Sequence, residues 1–432
     1  MNRSQLLSAL LVSAIAVGGL QACSGEQEER VTAEPPAEEG VTEVTDAPAD
    51  STDADLPWND SDESEVSTSD AEASDESRPW QNSLEEFDEA NARLLTDTAK
   101  FLAGTTVDKD SSIVAQQQTG VWNDHAAYLD SAWQQLEAQQ LSRARAWAET
   151  ELKPLNDVTP ALFYPFSGPD FLYAYTFFPK ATDYVLVGLE PVGRVPNFEN
   201  LSEGEVQQKL NEVSQSLYAI LQYSFFRTNS MAQDLQQQGV LPILMVFMAR
   251  TNQQLLDVQY VGLDESANLQ VVKEGEAEAQ GLIPGVKVTF VPEGRTVPKT
   301  LYYFSTDLSD DGLVETPEFL KFVGTFDRPV TYLKAASYLM HNDYFSQVRD
   351  LILTNSQAVL QDDSGIPVRF FDEASWDRQF YGSYVSPIEL FAERYQSDLR
   401  AIYTSDSTIT PLDFGIGYKY YNDSNLMLAT PK

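Results

Sequence analysis

A break in composition at Trp80 limits what this 432-residue chain can fold. From Ser24 to Trp80 the sequence is almost wholly Glu, Asp, Ser, Thr, Ala and Pro, with 19 acidic residues against only Arg30 and Arg78. Such a stretch cannot bury enough apolar surface to offset the entropy of ordering it, and like charges keep it extended. It is expected to be a disordered tether. An acidic tail for divalent cations or cationic partners is the alternative. The core must therefore come from residues 81–432. With 42% hydrophobic and 11% aromatic residues in the chain, there is ample material for it.

Charge and two rare residue types exclude several functions. The formal net charge is −38, nearly half of it in the tether, and this argues against nucleic acid, which needs clustered Lys and Arg. Cys23 is the only cysteine, so internal disulfides and multi-cysteine metal sites are excluded. His125 and His341 are the only histidines, too few for a histidine-rich metal centre.

Ahead of the tether, Arg3, an apolar stretch from Leu6 to Leu20 and small residues before Cys23 form the pattern of a secretory signal peptide. The stretch is shorter than the ~20 apolar residues a membrane span needs. Leu20-Gln21-Ala22-Cys23 resembles a bacterial lipobox, and the chain is in this respect similar to bacterial lipoproteins. That resemblance implies lipidation of Cys23. With Ser24 rather than Asp following it, the resemblance also implies sorting to the outer membrane of a Gram-negative cell, facing the periplasm. Several acyl chains on one residue anchor a protein stably, where a single chain binds only marginally. The expected organisation is a signal over 1–22, a tether over 23–80 and a globular domain over 81–432, with a helical cap at 81–155 and an α/β core at 156–432.

Within the domain, Leu84, Phe87, Ala90, Leu94 and Leu95 recur at helical spacing behind a capping box of Ser83 and Glu86. A second helix is expected from about Gly120 to Leu152. His125 on that helix is expected to be a packing histidine, since no nucleophile or ligand motif accompanies it. Ala161–Phe166 reads as a strand, Phe171–Phe178 as a short helix and Tyr184–Glu190 as a second strand, which suggests a βαβ unit. A hairpin is the rival, because Phe171–Tyr175 is also good strand sequence. The rhythm returns with a strand at Val330–Leu333, a helix at Ala335–Leu353 and a strand at Ala358–Gln361. Between these units lie a helix at about Glu203–Phe226, the apolar run Val240–Met248, and strands at Val258–Leu263, Leu269–Lys273, Lys287–Val291 and Thr300–Phe304. Pro387–Tyr403 reads as a late helix and Gly415–Tyr421 as a closing strand. Strands and helices interleave, so the expected class is α/β, a mixed sheet with flanking helices in layers and an N-terminal helical segment; α+β is the alternative.

In such a fold ligands bind beyond the carboxyl ends of parallel strands. Ser167, Asp170, Glu190, Asp307, Asp362 and Asp363 fall there, Lys334 follows another strand, and His341 lies about two turns beyond it. Converging carboxylates can share a proton or bind a hard cation. In an acidic protein they can equally be solvated loop acids. Asp307-Leu308-Ser309-Asp310-Asp311-Gly312-Leu313-Val314-Glu315-Thr316-Pro317-Glu318 resembles an EF-hand calcium loop, with Asp307, Ser309, Asp311 and Glu318 among its oxygen donors and Gly312 at the turn. The alternative is a polar turn capping a helix that starts near Thr316-Pro317-Glu318. Phosphate-binding, dinucleotide-binding, zinc-protease and serine-hydrolase motifs are absent.

The segments Tyr164–Ala174, Lys334–His341 and Leu360–Pro367 resemble those of an uncharacterised group of bacterial envelope proteins, which implies only that these loops share one domain. Two functions remain. One is a lipid-anchored binding or scaffold module with a protein or small-molecule partner. The other is a hydrolase-like envelope enzyme using Asp170, Glu190, Asp362, Asp363, His341 and Lys334, with or without a metal.

Overall fold

The computed structural model of the chain describes residues 87–159, 161–223, 239–420 and 424–432. The chain divides into two units, Met1–Pro79 and Trp80–Lys432, and every described residue belongs to the second. The signal, the lipobox with Cys23, the tether and the Ser83–Glu86 capping box lie outside the described residues.

The first described helix, α1 (Glu89–Leu102), is capped by Asp88, whose carboxylate accepts from the backbone N–H groups of Ala90 and Asn91. The helix expected over 120–152 is present, its backbone staying helical through a π turn in the middle. It forms α2 (Gly120–Leu136) and α3 (Ser142–Glu151), joined by a π turn at Glu137–Leu141, and α4 (Lys153–Asn156) follows. His125 is the packing residue expected: its ring nitrogens lie 3.1 Å from Ser214 Oγ and 2.8 Å from the Leu102 carbonyl.

Next come β1 (Ala161–Tyr164), α5 (Phe171–Phe177) and β2 (Asp183–Gly188). β1 and β2 pair in parallel, Leu162 opposite Tyr184 and Tyr164 opposite Leu186, so this is the βαβ unit and not the hairpin. After α6 (Glu203–Tyr223) the apolar run forms α7 (Leu241–Arg250), buried from Leu241 to Met248 as a helix apolar all round must be. β3 (Gln253–Leu263), β4 (Leu269–Val271) and β5 (Ile283–Pro292) form an antiparallel wing, and β5 pairs with β6 (Lys299–Ser305), which runs parallel to β2. α8 (Asp310–Glu315) and α9 (Glu318–Val323) precede β7 (Val330–Leu333).

The single helix expected over 335–353 is a correction. A 3-10 segment spans Ala335–His341, Asn342 is extended, and the α-helix α10 covers only Ser346–Asn355. Arg349 stabilises the break by donating to the carbonyls of Met340 and Asn342, at 2.9 and 3.1 Å. β8 (Ala358–Gln361) then pairs parallel to β7. β9 (Trp376–Gly382), α11 (Ser397–Ser405) and β10 (Asn425–Pro431) complete the domain.

The late helix expected over 387–403 also splits, into a 3-10 turn at Glu389–Arg394 and α11. Buried Gln396 sits at the break, accepting from Val368 N and donating to the Asp363 carbonyl. The strand expected over 415–421 does not form in its described part, 415–420: Gly417 has φ +57°, which suits a tight turn, and one isolated bridge joins Ile416 to Lys419. The strands at this edge are β9 and β10. β9 alternates polar and apolar residues too weakly to stand out in the sequence.

The sheet has ten strands in the order β4-β3-β5-β6-β2-β1-β7-β8-β10-β9. Its parallel centre is buried on both faces. Leu162, Tyr164, Tyr184, Leu186, Val330, Tyr332 and Leu360 pack into one core with α1 to α7, whereas Phe163, Val185, Val187, Leu333 and Val359 pack into another with α8 to α11. The fold is thus an α/β three-layer sandwich, and the helices of 89–156 form part of one layer. The strand order reverses between β1 and β7, the place where doubly wound folds open a ligand crevice.

Candidate functional site

Two strand ends frame the reversal. Beyond β1 the chain turns through Phe166, at φ +60°, and beyond β7 through Ala335, at φ +59°, both unusual for residues with a side chain. The first turn delivers Asp170 to the start of α5, where its Oδ1 accepts from Tyr173 N at 3.1 Å. Its Oδ2 accepts from Tyr164 Oη at 2.9 Å and from Lys334 Nζ at 2.6 Å. Lys334 reaches across from the end of β7, and its ammonium lies 3.7 Å from the centre of the Tyr173 ring. Both charged side chains are 2% exposed. Burial pulls the Lys334 ammonium down from its ordinary value against the opposing pull of Asp170, and it raises the Tyr164 hydroxyl.

The end of β8 supplies the second half. Asp362 Oδ1 accepts from the backbone and hydroxyl of Ser364, and Oδ2 accepts from Ala335 N at 3.4 Å. Gly417 closes over that Oδ2 so tightly that a Cβ there would clash with it. Burial, then the neighbouring Asp363 charge, pushes the Asp362 carboxyl up to about 7. Asp363 accepts from Tyr338 Oη at 2.5 Å and Asn425 Nδ2 at 2.8 Å, and Lys419 Nζ stands 3.9 Å away. Tyr338 in turn stacks on Phe391 and Tyr418.

Asp170, Lys334, Asp362 and Asp363 are therefore brought to one edge. Asp362 and Asp170 both act on Tyr164 and Tyr332, and the Lys334 stem lies against the Gly417 turn that covers Asp362. His341 borders them: it meets the Tyr338 ring edge-on, and its Nε2 is buried with no hydrogen-bond partner. Burial and the Arg394 and Arg369 charges lower its pKa to about 4, against the backbone carbonyls of Asp363 and Gly365.

Glu190 does not join the group. Its carboxylate folds back over Gly188 to Tyr303, whose hydroxyl also donates to the Glu190 carbonyl at 2.8 Å, and burial raises its pKa. Ser167 is a stitch between strands, accepting from Val187 N.

The Asp307–Glu318 segment folds as a capping turn, but the helix it caps is α8 and not the one expected near Thr316-Pro317-Glu318, where Pro317 precedes α9 with no side-chain cap. Asp307 Oδ1 accepts from Ser309 N at 2.8 Å, Ser309 Oγ caps α8 through Gly312 N at 3.2 Å, and Asp310 accepts from Ser346 Oγ and Gln347 N. Asp311 is exposed in the first turn of α8 and Glu318 is buried at the start of α9. Asp307, Ser309 and Asp310 thus accept from the chain's own backbone and hydroxyls. Among the described residues no group of three or more His, Cys, Asp or Glu could hold a metal ion. Ser309→Ala should cost about 1 kcal/mol through loss of the cap, read as a lower urea midpoint with unchanged slope.

Sequence reasoning missed Tyr164, Tyr338, Lys419 and Asn425. Tyrosine at a strand end has no distinctive spacing. Lys419 carried one usable signal, a lone cation inside the aromatic run Tyr418-Lys419-Tyr420. Compared with known proteins, the sequence matches no family model and no curated protein.

Proposed function

We propose that this protein is a lipid-anchored component of the Gram-negative outer membrane, facing the periplasm, and that its folded domain is a binding or scaffold module. The anchor rests on the Leu20–Cys23 lipobox and the acidic tether. One observation carries the module function. At the β1/β7 reversal, where a doubly wound fold receives a ligand's anionic group at a helix N-terminus, this chain seats its own Asp170 carboxylate and neutralises it with its own Lys334. The crevice is filled from within, and its two charges are satisfied without a ligand.

Accessibility tests this. Under limited acetylation of the full chain followed by mass spectrometry, Lys334 should be modified at least about tenfold more slowly than exposed Lys273, because it reacts only through local opening. Equal rates would mean an open site and would sink the proposal. For the anchor, Cys23→Ala should move the protein from the membrane to the soluble fraction. Unchanged membrane association would contradict lipidation.

A hydrolase-like enzyme is favoured by a different observation, the raised Asp362 carboxyl beside Asp363 and His341. Asp362 and Asp363 are buried, so this second function requires a substrate that reaches them through local opening.

A further inference from the structure

Lys180 lies three residues before β2, so the segment Pro179–Lys180 lies at the amino edge of the sheet, away from the sealed crevice. An open depression of about 220 Å³ lies here between α3, α4 and the end of α5. At about 30 Å³ per water it has the size of a small metabolite. Three cationic side chains line it, Arg145, Lys153 and Lys180, in a chain of net charge −38. Asp157 accepts from Lys153 at 3.0 Å and from Lys180 at 2.5 Å, so one carboxylate gathers two ammonium groups. Each ammonium has three donors, and an Asp157 bond uses one. Arg145 is tied to Glu137, which leaves part of its five-donor fork free of that pair. Glu149 is the opposing acid in the lining.

The lining holds a second, independent feature. Asn156 is 8% exposed, and its Nδ2 donates to the Phe177 carbonyl at 2.9 Å, which fixes the amide orientation. Its Oδ1 is then buried with no hydrogen-bond partner. A buried acceptor left unpaired costs about 1–3 kcal/mol, and a donor from a bound molecule would recover it.

We propose that this depression binds a small organic phosphate bearing a hydroxyl group. The phosphate oxygens take the free donors of Lys153, Lys180 and Arg145, and the hydroxyl donates to Asn156 Oδ1. The site is separate from the carboxyl edge, so its failure would leave the proposed module function standing.

Calorimetric titration of the full chain in detergent, with glycerol 3-phosphate and inorganic phosphate as probes, tests the assignment. The ester should bind at least about tenfold more tightly than inorganic phosphate, because only the ester satisfies Asn156. Lys153→Met/Lys180→Met should weaken it by about tenfold or more, and Glu149→Gln should tighten it. Asn156→Ala should bring the ester down to the level of phosphate. The Lys153, Lys180 and Glu149 changes are at exposed positions and keep the test valid if Asn156→Ala fails to fold. No heat with the ester at millimolar concentration would overturn the proposal, as would equal binding of both probes that none of these changes alters. Vesicles of phosphatidylglycerol that bind with the same residue dependence would assign the phosphate to a membrane headgroup. Binding of the soluble ester alone would assign it to a free metabolite.

Discussion

Lys334→Met should lower the unfolding free energy by about 3–5 kcal/mol, because it leaves the Asp170 carboxylate buried without its counter-charge. Asp170→Asn in the same chain should return most of that loss. The amide removes the unpaired charge while its oxygen can still cap α5 at Tyr173 N. A double-mutant cycle in urea would give the coupling, and additive single effects would show that the two groups do not act as a pair. The contrast distinguishes a structural pair from a merely exposed salt bridge, which contributes about 0–1 kcal/mol. Lys153–Asp157, at 65% and 42% side-chain exposure, is the control, and Lys153→Met should leave the urea midpoint nearly unchanged.

The second large effect is in the pH dependence, where two buried groups oppose each other. The Asp362 carboxyl is raised to about 7 from an ordinary 3.8, so the folded state holds a proton that the unfolded chain releases. Its contribution is full below the ordinary value and is lost as pH rises through the raised one. His341, lowered to about 4 from 6.5, acts in the other direction, and its contribution is present above 6.5 and lost as pH falls toward 4. His125 is lowered too, by burial and Arg250, and adds to the histidine side. Each group bends stability by at most about 1.4 kcal/mol per pH unit. Between pH 4 and 6.5 the Asp362 and His341 slopes have opposite signs. Asp362→Asn should therefore expose a stability that rises with pH across this window, and His341→Gln one that falls. Melting temperatures at half-unit pH steps would read the slopes, and parallel curves for the two variants would refute the opposition.

How far the sequence led can be judged from particular elements. β1, β2, β7 and β8 stood out as short apolar runs, because strands buried on both faces carry no polar alternation. Their order on the sheet put Asp170, Lys334, Asp362 and Asp363 at one edge, where the doubly wound rule places a site. The pairing of those residues with each other was not legible. It depends on Lys334 reaching across the β1/β7 gap, a contact between residues 164 positions apart. The broken helices were missed because their breaks are fixed by tertiary bonds from Arg349 and Gln396, and helix propensity is only a weak prior against such contacts. The spacing of Asp307–Glu318 left a calcium loop and a capping turn open together, because the oxygens that suit a cation also suit an Asx turn and a helix cap.

The place of β10 bears on how the domain comes into being. It lies between β8 and β9, although β9 precedes it in the chain by more than forty residues. During synthesis from the N-terminus, β9 has only the isolated bridge to Thr410 and no strand to pair along its length until residues 425–431 have left the ribosome. That edge of the sheet, together with the Asn425 bond to Asp363, forms only after the rest of the domain has been made.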